Sequence, residues 1–275
     1  MDKLNFICGG IPKCSNPSNY SQGLKDIKNL NLDGIELAFV HGVRISPESR
    51  TLVRNFSNEN NLVITAHAPY YINLNAKEEE KIEASISRII QTAEAIEELE
   101  GYSIVFHAGF YLKQDKKEVH KKILQGFEKI MENLPQNNKV WIRPETTGKS
   151  TQWGDINEVI EISKEFPNVL PCIDFAHLHA RHLGIWNTYD EFCQIFEQIG
   201  TKIGEHALKN FHAHIAGINY GDKGEKNHLM LEDSDLNYQE LLKAFKKFDV
   251  KGAIVCESPI PEFDAVLMKN FFNSL

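Results

Sequence analysis

The chain has 275 residues, 42% of them hydrophobic and 25% charged, with a formal net charge of −8. These values are ordinary for a globular protein with room for one large core. They argue against a nonspecific polyanion binder, unless bound divalent cations supply positive charge locally. No apolar run approaches the roughly 18 residues of a membrane span. The N-terminus MDKLNFICGG lacks the long apolar stretch and small-residue cleavage site of a signal peptide, so a cytoplasmic location is expected. The five cysteines (Cys8, Cys14, Cys172, Cys193, Cys256) form no CxxC pair and are odd in number. That predicts buried small apolar side chains rather than a disulfide framework or a thiolate zinc site.

Along the chain one unit recurs: a short apolar run, a polar turn and an amphipathic stretch. The runs that read as strands are LNFICGG (4–10), GIELAFV (34–40), LVITAHAP (62–69), SIVFHAG (103–109), KVWIRPET (139–146), VLPCIDFAH (169–177), NFHAHIAG (210–217) and AIVCESP (253–259). KEEEKIE (77–83) reads as the solvated start of the third helix, where acids suit the N-terminal turn. That helix then places Ile82, Ile86, Ile89, Ala93 and Ile96 at spacings of three and four, on one face. Val119, Ile123, Phe127 and Ile130 do the same in the fourth, and EFDAVLMKNFFNSL closes the chain as a helix. Continuous apolar strands alternating with helices imply parallel strands covered on both sides. Eight such units predict a single (β/α)8 TIM barrel over residues 1–275, with its active site at the C-terminal ends of the strands. An open doubly wound sheet would need a Gly-rich phosphate turn, and no GxGxxG occurs. TTGKS (146–150) resembles the end of a P-loop, but the glycine required upstream is absent, Arg143 standing in its place.

The polar residues of these strands fall at their C-terminal ends: His67, His107, Glu145, Asp174 with His177, His214 and Glu257. In a barrel those ends converge on one face. Any one of them alone reads as an ordinary hydrogen-bonded residue. Four imidazoles and three carboxylates at one mouth would be costly to bury without compensating cations. Imidazole and carboxylate are the ligands that zinc or manganese takes, so a multinuclear metal site is expected, and Glu145 near the middle of the set suits a bridging role. His212 and His214 lie on the same side of their strand, so either could be the ligand, and His214 is preferred as nearer the rim. His41, His120, His182 and His206 are expected in solvated loops and helices.

Seven segments, ITAHAPYYINL (64–74), VFHAGF (105–110), RPETTGK (143–149), CIDFAHLHA (172–180), FHAHIAGI (211–218), GEKNHL (224–229) and CESP (256–259), resemble in order and spacing the endonuclease IV family of apurinic/apyrimidinic endonucleases. The wider group is the xylose-isomerase-like barrels. The resemblance implies two or three Zn2+ per chain, with Mn2+ as the other metal considered. His67, His107 and Glu145 would hold the first. Glu145 would bridge to a second, bound also by Asp174, His214 and Glu257. His177 and His228 match two histidines of a third, but the aspartate expected beside them is Lys226. Asp222 or Glu225 could substitute there, or Lys226 could meet a phosphate. Tyr70 matches a tyrosine inserted near the abasic site, and Arg44 a basic contact to DNA.

The implied activity is base-excision repair: hydrolysis of the phosphodiester 5′ to an abasic site in DNA, leaving a 3′-hydroxyl and a 5′-deoxyribose phosphate. Glu145 and Glu257 would be the catalytic carboxylates, in a monomer with no membrane or protein partner. The competing expectation is a single-metal sugar isomerase or epimerase. It needs only Glu145, Asp174, His214 and Glu257, and leaves His67, His107, His177 and His228 without a task. A non-catalytic binding barrel is a third reading, and metal content separates the three.

Overall fold

The computed structural model describes all 275 residues. Eight parallel strands form one sheet: β1 (Leu4–Gly9), β2 (Gly34–Ala38), β3 (Val63–His67), β4 (Ser103–Phe106), β5 (Trp141–Pro144), β6 (Ile173–Asp174), β7 (Phe211–Ile215) and β8 (Gly252–Cys256). The sheet runs from β5 through β4, β3, β2, β1, β8 and β7 to β6. Parallel bridges Ile142 to Val169 and Glu145 to Cys172 join its two edges and close the barrel. The (β/α)8 architecture expected from the sequence is therefore present.

Side chains alternate along each strand, and here the alternation separates two environments. Outward residues such as Phe6, Ile35, Ile64, Ile104, Ile142, Ile173, Ala213 and Ile254 join one apolar cluster of 66 residues shared with the helices. The inward set holds only a small apolar cluster of Ile7, Ala253 and Val255, with Val63 and Tyr102 against it. The alternate positions facing inward from the other strands carry Glu36, Thr65, Ser103, Arg143, His212 and His214, all buried. A polar barrel interior beneath a polar mouth is the setting of the site.

The helices include α1 (Tyr20–Asn29), α2 (Pro47–Asn60), α3 (Glu79–Glu98), α4 (Lys116–Asn133) and α5 (Ile156–Glu165), then α6 (Phe175–Arg181), α7 (Tyr189–Lys202), α8 (Glu205–Leu208), α9 (Tyr238–Lys247) and α10 (Pro261–Ser274). The expected apolar faces of α3 and α4 are buried, Ile82 only in part. Caps fix the starts: Asp115 accepts from two amides of α4, and Asp155 with Glu158 forms a reciprocal capping box on α5. None of the helices is long and apolar enough to cross a membrane.

Three details differ from expectation. The sixth strand is two residues long rather than running to 177, because Asp174 caps a helix that begins at Phe175. Pro171 also lacks the N–H a ladder needs. Residues 217–229 form a hairpin, Gly217–Gly221 paired antiparallel with Gly224–Leu229. Cys14 is exposed, while the other four cysteines are buried as expected.

Candidate metal centre

The ends of β3 to β8 bring the sequence-selected donors into three groups, each with its ligand atoms within 4.8 Å of one another. The first is His67, His107 and Glu145. The second is Glu145, Asp174, His214 and Glu257. The third is Asp174, His177 and His228. Glu145 belongs to two groups, and so does Asp174. Neighbouring imidazoles stand 5.4 to 5.7 Å apart along the mouth, from His67 through His107 and His177 to His228.

Local structure explains how each donor arrives. Asp174 ends β6 and starts α6, where its Oδ1 accepts from the His177 amide at 2.6 Å. That cap puts His177 one turn along, on the same side. Thr146, just past the end of β5, clamps Asp174: its Oγ1 accepts from the Asp174 amide at 2.8 Å. Gly148, in the stretch that resembled a P-loop, has a steric role instead. A Cβ there would lie 2.6 Å from the Glu225 side chain and 3.1 Å from His177. Its absence lets the 217–229 hairpin close over the mouth and deliver His228, while Gly224, at φ +90°, makes the turn where a Cβ would strike the Gly148 carbonyl.

The imidazoles are oriented from behind. Nδ1 of His67 lies 2.7 Å from the Ala68 carbonyl, that of His177 3.0 Å from the Thr146 carbonyl, and that of His228 3.0 Å from the Glu257 carbonyl. A carbonyl can only accept, so Nδ1 carries a proton, and in the neutral ring Nε2 is the nitrogen free to coordinate. His228 Nε2 is buried without a hydrogen-bond partner. His67 Nε2 lies 3.1 Å from Glu145, and His107 Nε2 3.0 Å. His214 is turned the other way, with Nδ1 3.3 Å from Glu145 and 3.4 Å from Glu257.

No lysine or arginine pairs with these carboxylates; Glu145 meets only histidines. Burial alone would raise the Glu145 carboxyl, but His107 and His214 outweigh it and hold it well below the usual range. For Asp174 burial prevails, with Glu145 adding to it against His177, and the carboxyl rises to about 6. Burial disfavours the charged imidazoles too, yet the surrounding acids raise His67 to about 9 and His177 to about 10. Protonated histidines thus stand where divalent cations would serve better. Nitrogen and carboxylate donors, a free buried imidazole nitrogen and excess acid fit zinc.

Sequence reading missed Glu36. This buried acid of β2 lies 2.9 Å from His214 Nε2 and 3.2 Å from His212 Nε2. Burial would raise it, but the two imidazoles hold it below the usual carboxylate range. Its signal was an acid inside an apolar strand. His212 is buried beside His214 in β7, and Cys172 forms a further close group with both. Glu225 Oε2 lies 3.7 Å from His177 Nε2, so the hairpin offers an acid to the third group. Lys226 does not join it: its side chain folds over Gly221 and is exposed. Tyr70 is 65% exposed with its ring 5.7 Å from that of His67, and Arg44 is exposed after β2. His120 is stacked on Trp153 and takes its indole N–H at 3.3 Å, rather than being solvated.

Comparison with known proteins places these features in context. The model of the xylose isomerase-like TIM barrel family matches residues 24–272. An uncharacterized protein of Methanocaldococcus jannaschii is 44% identical over 273 residues, 99% of this chain and 98% of that one. A probable endonuclease 4 of a Sulfurihydrogenibium species is 28% identical over 192 residues, 63% of this chain and 68% of that one. Among solved structures, a D-tagatose 3-epimerase-like protein superposes with TM-score 0.76 at 20% identity, over 98% of this chain and 96% of that one. Endonuclease IV from Thermus thermophilus superposes with TM-score 0.74 at 15% identity, over 99% and 100%.

Proposed function

Because the chain belongs to the xylose isomerase-like TIM barrel family, we propose that it is a zinc-dependent endonuclease of the endonuclease IV type, cleaving DNA on the 5′ side of abasic sites. One observation carries this reading: the mouth holds three donor groups linked through Glu145 and Asp174, where a single-metal isomerase needs one. Similarity in sequence to probable endonucleases 4 supports it. When bound, the ions would supply Lewis acidity toward a phosphate and lower the pKa of coordinated water to roughly 7.

The chain's own residues do the rest. Glu145 would help to hold an ion on either side, since its two oxygens face different imidazoles. Glu257, beside His214, orients the attacking water. Asp174 and the histidines neutralise and shape the mouth. Tyr70 at the rim contacts the abasic nucleotide, and Arg44 and Lys226 meet flanking phosphates. An abasic nucleotide leaves the helix at least cost because no base is stacked there. The net charge of −8 makes the metals the main local attraction for the phosphate.

The test is incubation with a duplex carrying one tetrahydrofuran abasic analogue, with and without chelator. Chelator-sensitive nicking 5′ to the analogue supports the proposal. The second reading, a sugar epimerase, is favoured by the completeness of the Glu145, Asp174, His214 and Glu257 group on its own. Intact duplex together with ketose interconversion would establish that reading instead.

A further inference from the structure

Glu36 is the one buried acid beside the metal centre that belongs to none of its three donor groups. It rises from β2 on the inner face of the barrel, below His214. Its Oε2 accepts from Thr65 Oγ1 at 2.7 Å and lies 3.2 Å from His212 Nε2. His212 is fixed in turn by Ser103, whose Oγ lies 2.8 Å from Nδ1. The other oxygen, Oε1, lies 2.9 Å from His214 Nε2. Neither Oε1 nor that nitrogen has an aligned hydrogen-bond partner in this arrangement, and both are buried.

We infer that Glu36 is a positioning residue for the metal centre: it holds His214 with Nδ1 turned to the donor group and keeps the proton on Nε2. This rests on the reading of Glu145, Asp174, His214 and Glu257 as metal ligands. A neutral imidazole has one lone-pair nitrogen. If Nδ1 coordinates, Nε2 must carry the hydrogen, and a fully buried N–H requires an acceptor. Glu36 is the acceptor within reach. The other anchored histidines solve the same problem differently, with Nδ1–H on the neutral carbonyls of Ala68, Thr146 and Glu257. His214 is backed by a carboxylate that belongs to none of the donor groups, which raises ligand basicity and fixes ring orientation. It is also the only histidine of the second group, so the effect of Glu36 falls on that metal position and not on the one held by His67 and His107. Thr65 and the His212–Ser103 pair keep the carboxylate from rotating away.

The test is zinc titration of metal-free protein against a chromophoric chelator, for the wild type, Glu36→Gln and Thr65→Val, with metal-free melting temperatures measured alongside. Glu36→Gln keeps the shape and removes the charge. It is expected to lose roughly 10- to 100-fold in affinity for one zinc equivalent, the others unchanged. Thr65→Val should weaken the same equivalent by a smaller factor. A purely structural role would lower the melting temperature and weaken all equivalents together. That outcome, or wild-type affinity at every equivalent in Glu36→Gln, would overturn the inference. If the wild type itself takes up no zinc, the metal centre is what fails, and the inference goes with it.

Discussion

The floor of the barrel is buried and polar, its mouth polar and partly buried, and they meet the cost of burial in different ways. At the floor, Arg143 donates to the carbonyls of Pro171 and Asn210 at 3.3 and 3.2 Å and to Asn210 Oδ1 at 2.6 Å. Tyr102 and Trp141 cover its guanidinium at 5.2 and 5.9 Å, and only Nε lacks a partner. The charge is permanent and its contacts come from the protein. At the mouth the acids face titratable imidazoles, and His228 keeps a buried Nε2 without an aligned partner. Layers that satisfy themselves serve the fold. A layer that leaves acids and free nitrogens facing one another is built for something added to it.

Opposite responses to mutation would sharpen the contrast. Glu145→Gln should remove activity by about 10²–10³-fold or more, because one electrostatic partner of the reacting centre is lost, and should reduce bound metal while the protein stays folded. Near-normal turnover would contradict its place in two donor groups. Arg143→Met should do the reverse: bound zinc unchanged, and stability lowered by about 1–3 kcal/mol through unsatisfied groups at the floor, read by denaturant unfolding.

Asp174→Asn tests the mouth's excess of acid. The Asp174 carboxyl is raised to about 6, so at higher pH its ionised form opposes folding. Without metal, the variant should be more stable than wild type at pH 8, by about 1–3 kcal/mol. With zinc added the order should invert. Equal metal-free stabilities would break the comparison.

The pH dependence follows from two histidines. His67 is raised to about 9 and His177 to about 10, from 6.5. Their contribution to metal-free stability is full below pH 6.5 and is lost as pH rises through 9 to 10. Both must shed protons to coordinate, so zinc affinity should climb over the same range and proton release should accompany binding. Calorimetry in two buffers of different ionisation heat measures that release. The smallest effect is expected for Lys226→Asp: position 226 lies over Gly221, away from the third group. Zinc content should not change, whereas a gain of one equivalent would assign that group to this position.

Much of this was legible in the sequence. Apolar runs bounded by turns gave the eight strands, because outward faces bury against helices whatever lies inside. Seven donors stood out as polar residues at the ends of such runs, His228 only through the family resemblance, and all eight meet at the mouth. What escaped notice depended on pairing across the barrel. Glu36 looked like an acid in a strand until β2 and β7 were set facing. Asp174 gave no sign that it also caps α6, so the sixth strand was drawn too long. The hairpin that carries His228 has no apolar alternation to announce its strands, which are polar and exposed on one side.

The most direct test of the account is the number of divalent ions in protein purified without chelator, by mass spectrometry of the metals. Two or three zinc ions per chain are predicted, falling in Glu145→Gln and unchanged in Arg143→Met. A chain that binds no metal and leaves abasic duplex intact would contradict it.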